Sequence, residues 1–147
     1  MIKMEKHEKT KALVLVFPIS KGDFISAGEA SSEIKNKLLQ LGFAGNLIRR
    51  VAIATYEAEM NLVIHSDGGK IKAEINPGSV VIEVADIGPG IPNLHMAMQE
   101  GFSTASEEVR EMGFGAGMGL PNMRNCASKF EIDSIVGKGT TIKMQIS

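Results

Sequence analysis

Hydrophobic positions follow two different periods in the N-terminal half of the chain. An aliphatic run over 12–17, ended by Pro18, predicts a β-strand. Over 24–41, apolar residues recur at helical spacing and Gly42 follows, so we expect an amphipathic helix that ends there. A second and more strongly patterned helix is predicted over 47–65. Its apolar stripe consists of Leu47, Ile48, Val51, Ala54, Ala58 and Leu62.

In the C-terminal half the pattern changes to short strands that come in pairs. Two strands are predicted over 70–75 and 80–85, joined as a β-hairpin by a turn at 76–79. The other predicted elements are a short helix over 93–99, a helix over 118–129 with Pro121 in its first turn, and strands over 130–136 and 141–146. Helices placed before and between antiparallel hairpins predict an α+β domain, with a mixed, mostly antiparallel sheet and helices on one face.

Length and composition narrow the class of protein. With 147 residues, 44% hydrophobic and 22% charged, the chain is expected to form one domain over 11–147 after a charged, flexible tail over 1–10. A net charge of −1 does not indicate binding to nucleic acid or to an anionic membrane surface. The single cysteine, Cys126, excludes an internal disulfide, and the apolar runs are too short to span a membrane. We therefore expect a cytoplasmic protein.

Two glycine clusters are the most distinctive feature of the sequence. The first, DIGPGI, occupies 86–91, and the second places glycine at 113, 115, 117 and 119. The segment between them, 101–112, is rich in serine, threonine and glutamate. Glycine is the residue that lets the backbone approach a ligand closely. The two clusters therefore predict a phosphate-bearing ligand held from both sides, with a movable cover between them.

Three polar residues share one face of the second predicted helix. Glu57, Asn61 and His65 are spaced four residues apart, away from the apolar stripe. A carboxylate suits general-base chemistry on a hydroxyl or water, and an amide oxygen suits one ligand position on Mg²⁺. His65, at the helix end, is predicted to lie near a phosphate or ribose, with a capping role as the alternative. For this helix taken alone, a solvated polar face is the simpler alternative.

Each glycine cluster also has a chemical interpretation of its own. Asp86 closes a predicted strand and could accept a hydrogen bond from an exocyclic amine such as that of adenine, although a plain turn is the alternative. The second cluster leads into a predicted helix whose first amides could bind phosphate, although a flexible loop is the alternative. The cluster lacks the Gly-Lys-Ser/Thr of a Walker A motif and the preceding strand of a dinucleotide fingerprint.

Taken together, these motifs resemble the nucleotide-binding boxes of the GHKL ATPase superfamily, whose fold is the two-layer Bergerat sandwich. Glu57…Asn61 matches the N box, Asp86-x-Gly-x-Gly the G1 box, and Gly-x-Gly-x-Gly the G2 box. EAEMNLVIHS resembles the N box of the anti-sigma factor serine kinases of the RsbW or SpoIIAB branch. DIGPGIPNLHMAMQEGFSTA and GFGAGMGLPNMRN resemble the RsbT-type switch kinases, although the segment between the glycine clusters is longer here.

The resemblance implies a role for each matching residue. Glu57 would be the general base that deprotonates a target hydroxyl, and Asn61 would bind Mg²⁺. Asp86 would contact the adenine amine, supported by Thr140, while the first cluster would let the ring approach through Gly88, Gly90 and Ile91. The phosphates would lie against Gly113, Gly115, Gly117, Met118, Gly119 and Leu120. Residues 103–112 would form the ATP lid, in which Arg110 is a candidate for the β- or γ-phosphate or else a solvated surface charge.

The resemblance also implies a function. The chain would be a serine/threonine protein kinase that uses ATP and Mg²⁺, phosphorylates a STAS-domain antagonist and switches between partners, with a sigma factor as a further partner and a homodimer as one possible state. The first alternative is a nucleotide-gated binding module without significant phosphoryl transfer. A histidine kinase catalytic domain and an ATPase of the MutL or Hsp90 kind are further alternatives. Against a histidine kinase catalytic domain, the pattern over 11–45 predicts one strand and one helix and no dimerisation hairpin.

Overall fold

The computed structural model describes residues 12–91, 94–99 and 118–147, so the predicted tail over 1–10 lies outside the described residues. In chain order the elements are β1 (Leu13–Ile19), α1 (Glu29–Gln40), α2 (Gly45–His65), β2 (Gly69–Asn76), β3 (Ser79–Asp86), α3 (Leu94–Ala97), α4 (Gly119–Cys126), β4 (Lys129–Ile135) and β5 (Gly139–Ile146). The predicted elements are all present, and the α+β class is confirmed.

The five strands form one sheet in the order β1-β2-β3-β5-β4. Every pairing between the described strands is antiparallel, so the sheet expected to be mixed has no parallel pair there. Hairpins account for two of the four pairings: β2 with β3, and β4 with β5. Strand β5 then pairs with β3, which places the end of β3 beside the beginning of β5.

One face of the sheet carries the hydrophobic core. Ile71, Val84 and Ile142 are neighbours on β2, β3 and β5, and all three are buried. They pack in one cluster with α2, on which every residue of the predicted apolar stripe is buried. Burial of an amphipathic helix against one sheet face gives the expected two-layer arrangement.

The opposite face, here called the polar face, carries a row of charged side chains beside exposed apolar ones such as Val14 and Val16. Lys72, Glu83, Lys143 and Glu131 are consecutive neighbours across four strands, so their charges alternate in sign. Opposite charges on directly paired strands stabilise a sheet modestly, and such a face can remain in water.

Among the described helices, none is both long enough and apolar enough to cross a membrane.

Two predicted boundaries in the N-terminal half were wrong. The strand continues through Pro18 to Ile19, because β1 is an edge strand and tolerates a residue without a backbone N–H. Helix α1 begins at Glu29 rather than at residue 24. Gly28, at a φ of 98°, has a left-handed conformation that cannot continue a helix, and before it the Ser26 N–H donates to Asp23 Oδ1 at 3.1 Å in a local turn.

The last predicted helix is also shorter than expected. Helix α4 ends at Cys126 rather than at residue 129, because Ala127 is extended and the Ser128 N–H donates to the Gln145 carbonyl at 2.7 Å. The chain has already joined the sheet at that point. Arg50 on α2 holds the junction, since its Nε donates to the Cys126 carbonyl at 3.0 Å. Interactions with distant parts of the chain therefore decide where this helix ends.

A buried carboxylate caps α1 from another helix. Gly28 supplies no side-chain cap, and Glu59 on α2 accepts instead from the N–H of Ala30 at 3.1 Å and the N–H of Ser31 at 3.2 Å. Glu59 is 1% exposed. A carboxylate at a helix N-terminus satisfies otherwise unpaired donors and interacts favourably with the helix dipole. This contact joins α1 to α2.

Replacing Glu59 tests this cap. Glu59→Ala leaves two buried N–H donors unpaired, so we expect the free energy of unfolding to fall by about 2 kcal/mol. Urea denaturation monitored by circular dichroism gives the value. Glu33→Ala removes an exposed glutamate from α1 and should change the same quantity by less than about 0.5 kcal/mol. Equal losses in the two variants would contradict the assignment of the cap to Glu59.

Candidate functional site

The structure places Glu57 and Asn61 against the beginning of α4. Both side chains are half-buried on one face of α2. A Cβ atom added at Gly119, the first residue of α4, would lie 3.0 Å from Asn61 Oδ1 and 3.4 Å from Glu57 Oε2. A Cβ there would press against Asn61 and only touch Glu57, so glycine allows the start of α4 to approach Asn61 without moving it. This face of α2 is thus not simply solvated, and the helix that begins at the second glycine cluster meets it.

Asn122 also contacts the predicted base, and sequence reasoning missed it. Its Nδ2 donates to Glu57 Oε1 at 3.3 Å from the first turns of α4. An amide N–H can orient a carboxylate without neutralising its charge. Because this contact occupies one acceptor site on Oε1, Oε2 is the oxygen better placed to accept a proton.

Asp86 and Thr140 meet where β3 ends and β5 begins. The backbone N–H of Thr140 donates to Asp86 Oδ1 at 2.6 Å. Gly139, at a φ of 148°, precedes Thr140, and a Cβ there would lie 2.9 Å from the same carboxylate oxygen. The pairing of β3 with β5 explains the approach, since Ala85 lies opposite Thr141. Thr140 was predicted to support the contact of Asp86 with adenine; the structure brings the two residues together, and the contact with adenine stays a prediction.

Burial dominates the electrostatics of Asp86. Loss of solvent raises the pKa of its carboxyl group above the ordinary value, and the charge of Asp67 also raises it. The hydrogen bond from Thr140 acts in the opposite direction, because it stabilises the ionised form. A carboxylate held partly desolvated at a strand end is a recurrent feature of binding sites.

The loop at 87–91 is fastened to the turn between β4 and β5. The Gly88 N–H donates to the Lys138 carbonyl at 3.2 Å, and the Gly137 N–H donates to the Pro89 carbonyl at 2.8 Å. Gly90 has a φ of 75°, and a Cβ there would lie 2.6 Å from the Ile135 carbonyl oxygen. The first glycine cluster is therefore required in part by this internal contact between two turns.

Ser134 on β4 completes this contact and was not singled out by the sequence. Its Oγ accepts a hydrogen bond from the Ile91 N–H at 2.7 Å and lies 2.8 Å from Thr140 Oγ1. The Ile91 main chain is thus linked, through one serine hydroxyl, to the residue that contacts Asp86. The G-x-G-T at 137–140 could have indicated a turn near the site, but nothing in the spacing identified Ser134.

The structure describes only some of the remaining predicted site residues. His65 is half-buried at the end of α2, and burial lowers the pKa of its imidazole, which favours the neutral ring. Met118 immediately precedes α4, and the buried side chain of Leu120 packs in the core, so Leu120 could reach a ligand only through its main chain. Arg110, Gly113, Gly115 and Gly117 lie outside the described residues. Their roles stay predictions.

The burial of Asp86 predicts how stability depends on pH. Because the native pKa lies above the unfolded one, the native state binds more protons, and stability falls as pH rises through that interval. Asp86→Asn removes the charge while Oδ1 can still accept from Thr140, so its thermal midpoint without ligand should exceed that of the wild type at pH 7. The difference between the two thermal midpoints should narrow as the pH is lowered towards the ordinary pKa of an aspartic acid side chain. Differential scanning calorimetry across pH measures both quantities.

The control is Asp133→Asn, an exposed position on the polar face of the sheet. Its thermal midpoint should follow the wild type at every pH. A difference between the thermal midpoints of wild type and Asp86→Asn that widens on acidification would contradict the assignment of a half-buried, charged Asp86.

Comparison with known proteins shows which family this chain resembles. Residues 46–147 match the family described as histidine kinase-, DNA gyrase B- and HSP90-like ATPase. The anti-sigma F factor of Thermoanaerobacter sp. (strain X514) is 38% identical over 102 residues, which are 66% of this chain and 68% of that protein. The serine/threonine-protein kinase RsbT of Bacillus subtilis (strain 168) is 30% identical over 113 residues, which are 74% and 79% of the two chains.

Solved structures show the same fold at lower identity. A chain of the SiaB-SiaC complex from Pseudomonas aeruginosa superposes with a TM-score of 0.63 at 14% identity, covering 99% of this chain and 95% of that one. The RsbU and RsbW domains of a Mycobacterium tuberculosis protein give a TM-score of 0.57 at 18% identity, covering 90% and 32%. With the family match extending over most of the sequence, the chain belongs to the GHKL family of histidine kinase-, DNA gyrase B- and HSP90-like ATPases.

Proposed function

We propose that this protein is a serine/threonine protein kinase of the anti-sigma regulatory type, which transfers the γ-phosphate of ATP to a protein partner. The observation that supports this most directly is the position of Glu57. Its carboxylate is half-buried beside Asn61, at the beginning of the helix that the second glycine cluster introduces, and Asn122 donates to one of its oxygens. A base in that position suits proton transfer from a hydroxyl next to bound phosphates.

Glu57 acts as the general base. Its Oε2 accepts the proton of a serine or threonine hydroxyl on the partner, and the hydroxyl oxygen attacks the γ-phosphorus as the bond to the β-γ bridging oxygen of ATP breaks. ADP is the leaving group, and the phosphoryl group ends on the partner. Because phosphoryl transfer relies mainly on positioning and charge stabilisation, the hydrogen bond from Asn122 to Oε1 matters for the orientation of the base.

The donor set on α2 fits Mg²⁺. Asn61 offers an amide oxygen, the neutral oxygen ligand that Mg²⁺ accepts alongside phosphate oxygens and water, and the nearby Glu57 carboxylate adds negative charge. When bound there, Mg²⁺ would neutralise charge on the phosphates. Asn61 is the residue that would hold it.

The opposite end of the site binds adenine. Asp86 accepts from the exocyclic amine, and Thr140 supports that contact, either directly or through water. The first amides of α4, at Gly119 and Leu120, face the phosphates, since a helix N-terminus presents unpaired N–H donors and a favourable dipole. Residues 103–112, which lie outside the described residues, are assigned the role of the lid on the family resemblance, with Arg110 as the candidate for the β- or γ-phosphate or else a solvated surface charge.

The partner is a small STAS-domain antagonist, and the protein exchanges partners according to phosphorylation state. Support comes from relatives named anti-sigma F factor and serine/threonine-protein kinase RsbT, and from the structural similarity to a chain crystallised in a complex of SiaB with SiaC. A sigma factor is the second partner. The other candidate function is a nucleotide-gated binding module without phosphoryl transfer, which the name anti-sigma factor also fits.

Nucleotide binding is tested by calorimetry with and without Mg²⁺. Asp86→Asn should weaken ATP binding by about tenfold in both conditions, because it removes the carboxylate that accepts from adenine. Asn61→Ala should weaken binding by a similar factor with Mg²⁺ present and have no effect in EDTA. A wild-type protein that does not bind ATP would sink the proposal, and equal effects of Asn61→Ala in both conditions would remove Asn61 from the Mg²⁺ site.

A measurement of phosphoryl transfer distinguishes the proposed kinase function from the alternative function as a binding module. The wild type, incubated with γ-labelled ATP and Mg²⁺, should label a STAS-domain protein of its source organism. Glu57→Gln should lower that rate by at least about 100-fold and change ATP affinity by less than about threefold, since only the base is lost. Glu83→Gln, the same substitution on the polar face of the sheet, should match the wild type. Undiminished labelling by Glu57→Gln would exclude it as the base, and ATP-dependent partner binding without labelling would favour the module.

A further inference from the structure

Ser134 stands at the junction of three segments of the candidate site. Its hydroxyl oxygen accepts from the Ile91 N–H at 2.7 Å, lies 2.8 Å from Thr140 Oγ1, and lies 3.4 Å from the Gly139 carbonyl oxygen. The first contact reaches the glycine loop after β3, and the other two reach the beginning of β5. None of the roles assigned to the site above involves this side chain.

Either hydroxyl could donate in the Ser134–Thr140 contact, and the inventory of donors and acceptors around Ser134 favours one direction. A serine hydroxyl has one hydrogen and two lone pairs. The Ile91 N–H takes one lone pair, and the Gly139 carbonyl, 3.4 Å away, can only accept, so that contact is satisfied when the serine hydrogen is directed to it. The contact with Thr140 is then a hydrogen bond only if Thr140 donates. This is the one arrangement in which all three contacts of Ser134 are hydrogen bonds.

That arrangement determines whether the Thr140 hydroxyl donates or accepts towards other groups. In that arrangement the Thr140 hydroxyl donates its hydrogen to Ser134, so towards any further group Thr140 Oγ1 can only accept. The neighbouring carboxylate of Asp86, joined to Thr140 by the 2.6 Å hydrogen bond, also only accepts when ionised. The two side chains therefore present acceptors alone at the place where the base of the nucleotide is proposed to lie.

We propose that Ser134 is a specificity-determining residue that acts through Thr140. With Ser134 in place, this edge of the pocket offers hydrogen-bond acceptors alone, which favours 6-aminopurine over 6-oxopurine nucleotides. The inference rests on the proposed nucleotide-binding function. A 6-amino group donates two hydrogens and matches two acceptors. A 6-oxo group brings an acceptor to the same place, and a buried acceptor facing acceptors is left unpaired. Without Ser134, the Thr140 hydroxyl can rotate and donate to the oxo group.

The test compares ATP with inosine triphosphate. This nucleotide carries a 6-oxo group in place of the 6-amino group and, in addition, a hydrogen on N1. Calorimetry gives the affinity of each nucleotide, and their ratio is the readout. Ser134→Ala should lower the preference for ATP by about tenfold, because the released Thr140 hydroxyl can then donate to the oxo group. Ser134→Thr keeps the hydroxyl and should retain the wild-type ratio within about twofold.

Two further variants separate this role from a structural one. Ser128→Ala removes the serine just before β4, whose hydroxyl contacts Arg50 and Ser147 away from the candidate site, and it should leave the ratio unchanged. In a Thr140→Val background, Ser134→Ala should change the ratio by less than about twofold, because the hydroxyl through which it acts is absent. Thermal unfolding without nucleotide checks that each variant is folded.

The outcomes distinguish the two levels of the proposal. If the wild type binds neither nucleotide, the proposed function fails. If it binds ATP but Ser134→Ala leaves the ratio unchanged, or Ser128→Ala lowers it equally, only the role of Ser134 is overturned. An effect of Ser134→Ala that persists in the Thr140→Val background would also overturn it, because Ser134 would then not act through Thr140. Should Ser134→Ala not fold, Ser134→Cys, which replaces the hydroxyl with a weak donor, is expected to lower the ratio in its place.

Discussion

The packing of α2 is the interaction on which the rest of the structure depends. Its apolar stripe is buried against the sheet, Glu59 caps α1, and Arg50 holds the junction between α4 and β4. The same helix presents Glu57 and Asn61 to the beginning of α4. Because the core fixes the rotation of α2 about its own axis, it also fixes the direction in which these two polar side chains point. Fold and candidate chemistry are thus set by one set of contacts.

The second end of the site depends on strand pairing. Asp86 ends β3, and Thr140 is the second residue of β5, so the register between these two strands brings the carboxylate to the Thr140 N–H. The turn before β5 is in turn fastened to the loop at 87–91 by main-chain hydrogen bonds and by Ser134. A site built on strand ends and linked turns holds its groups more precisely than a free loop would.

Much of the fold and part of the site could be predicted from local patterns. The helical stripe of α2, the hairpin of β2 and β3 and the closing strand pair are all periodic signals, and all are confirmed. The boundaries that were wrong depend on distant partners: Pro18 lies on an edge strand, and Cys126 ends its helix where the chain joins β5. Ser134 and Asn122 were missed because their hydrogen bonds join residues 43 and 65 positions apart, which no spacing rule detects.

The sequence by itself determined the α+β class, the order of the elements and the set of polar residues that matches the family's boxes, because periodicity and glycine clusters act over a few residues. The tertiary structure decided which of those residues meet. Gly119 approaches Asn61 and Glu57 because α4 packs on α2, and Asp86 meets Thr140 because β5 inserts beside β3 rather than at the sheet's edge. Such contacts arise from the burial of whole helices and strands, so their physical cause is the common core and not any local motif.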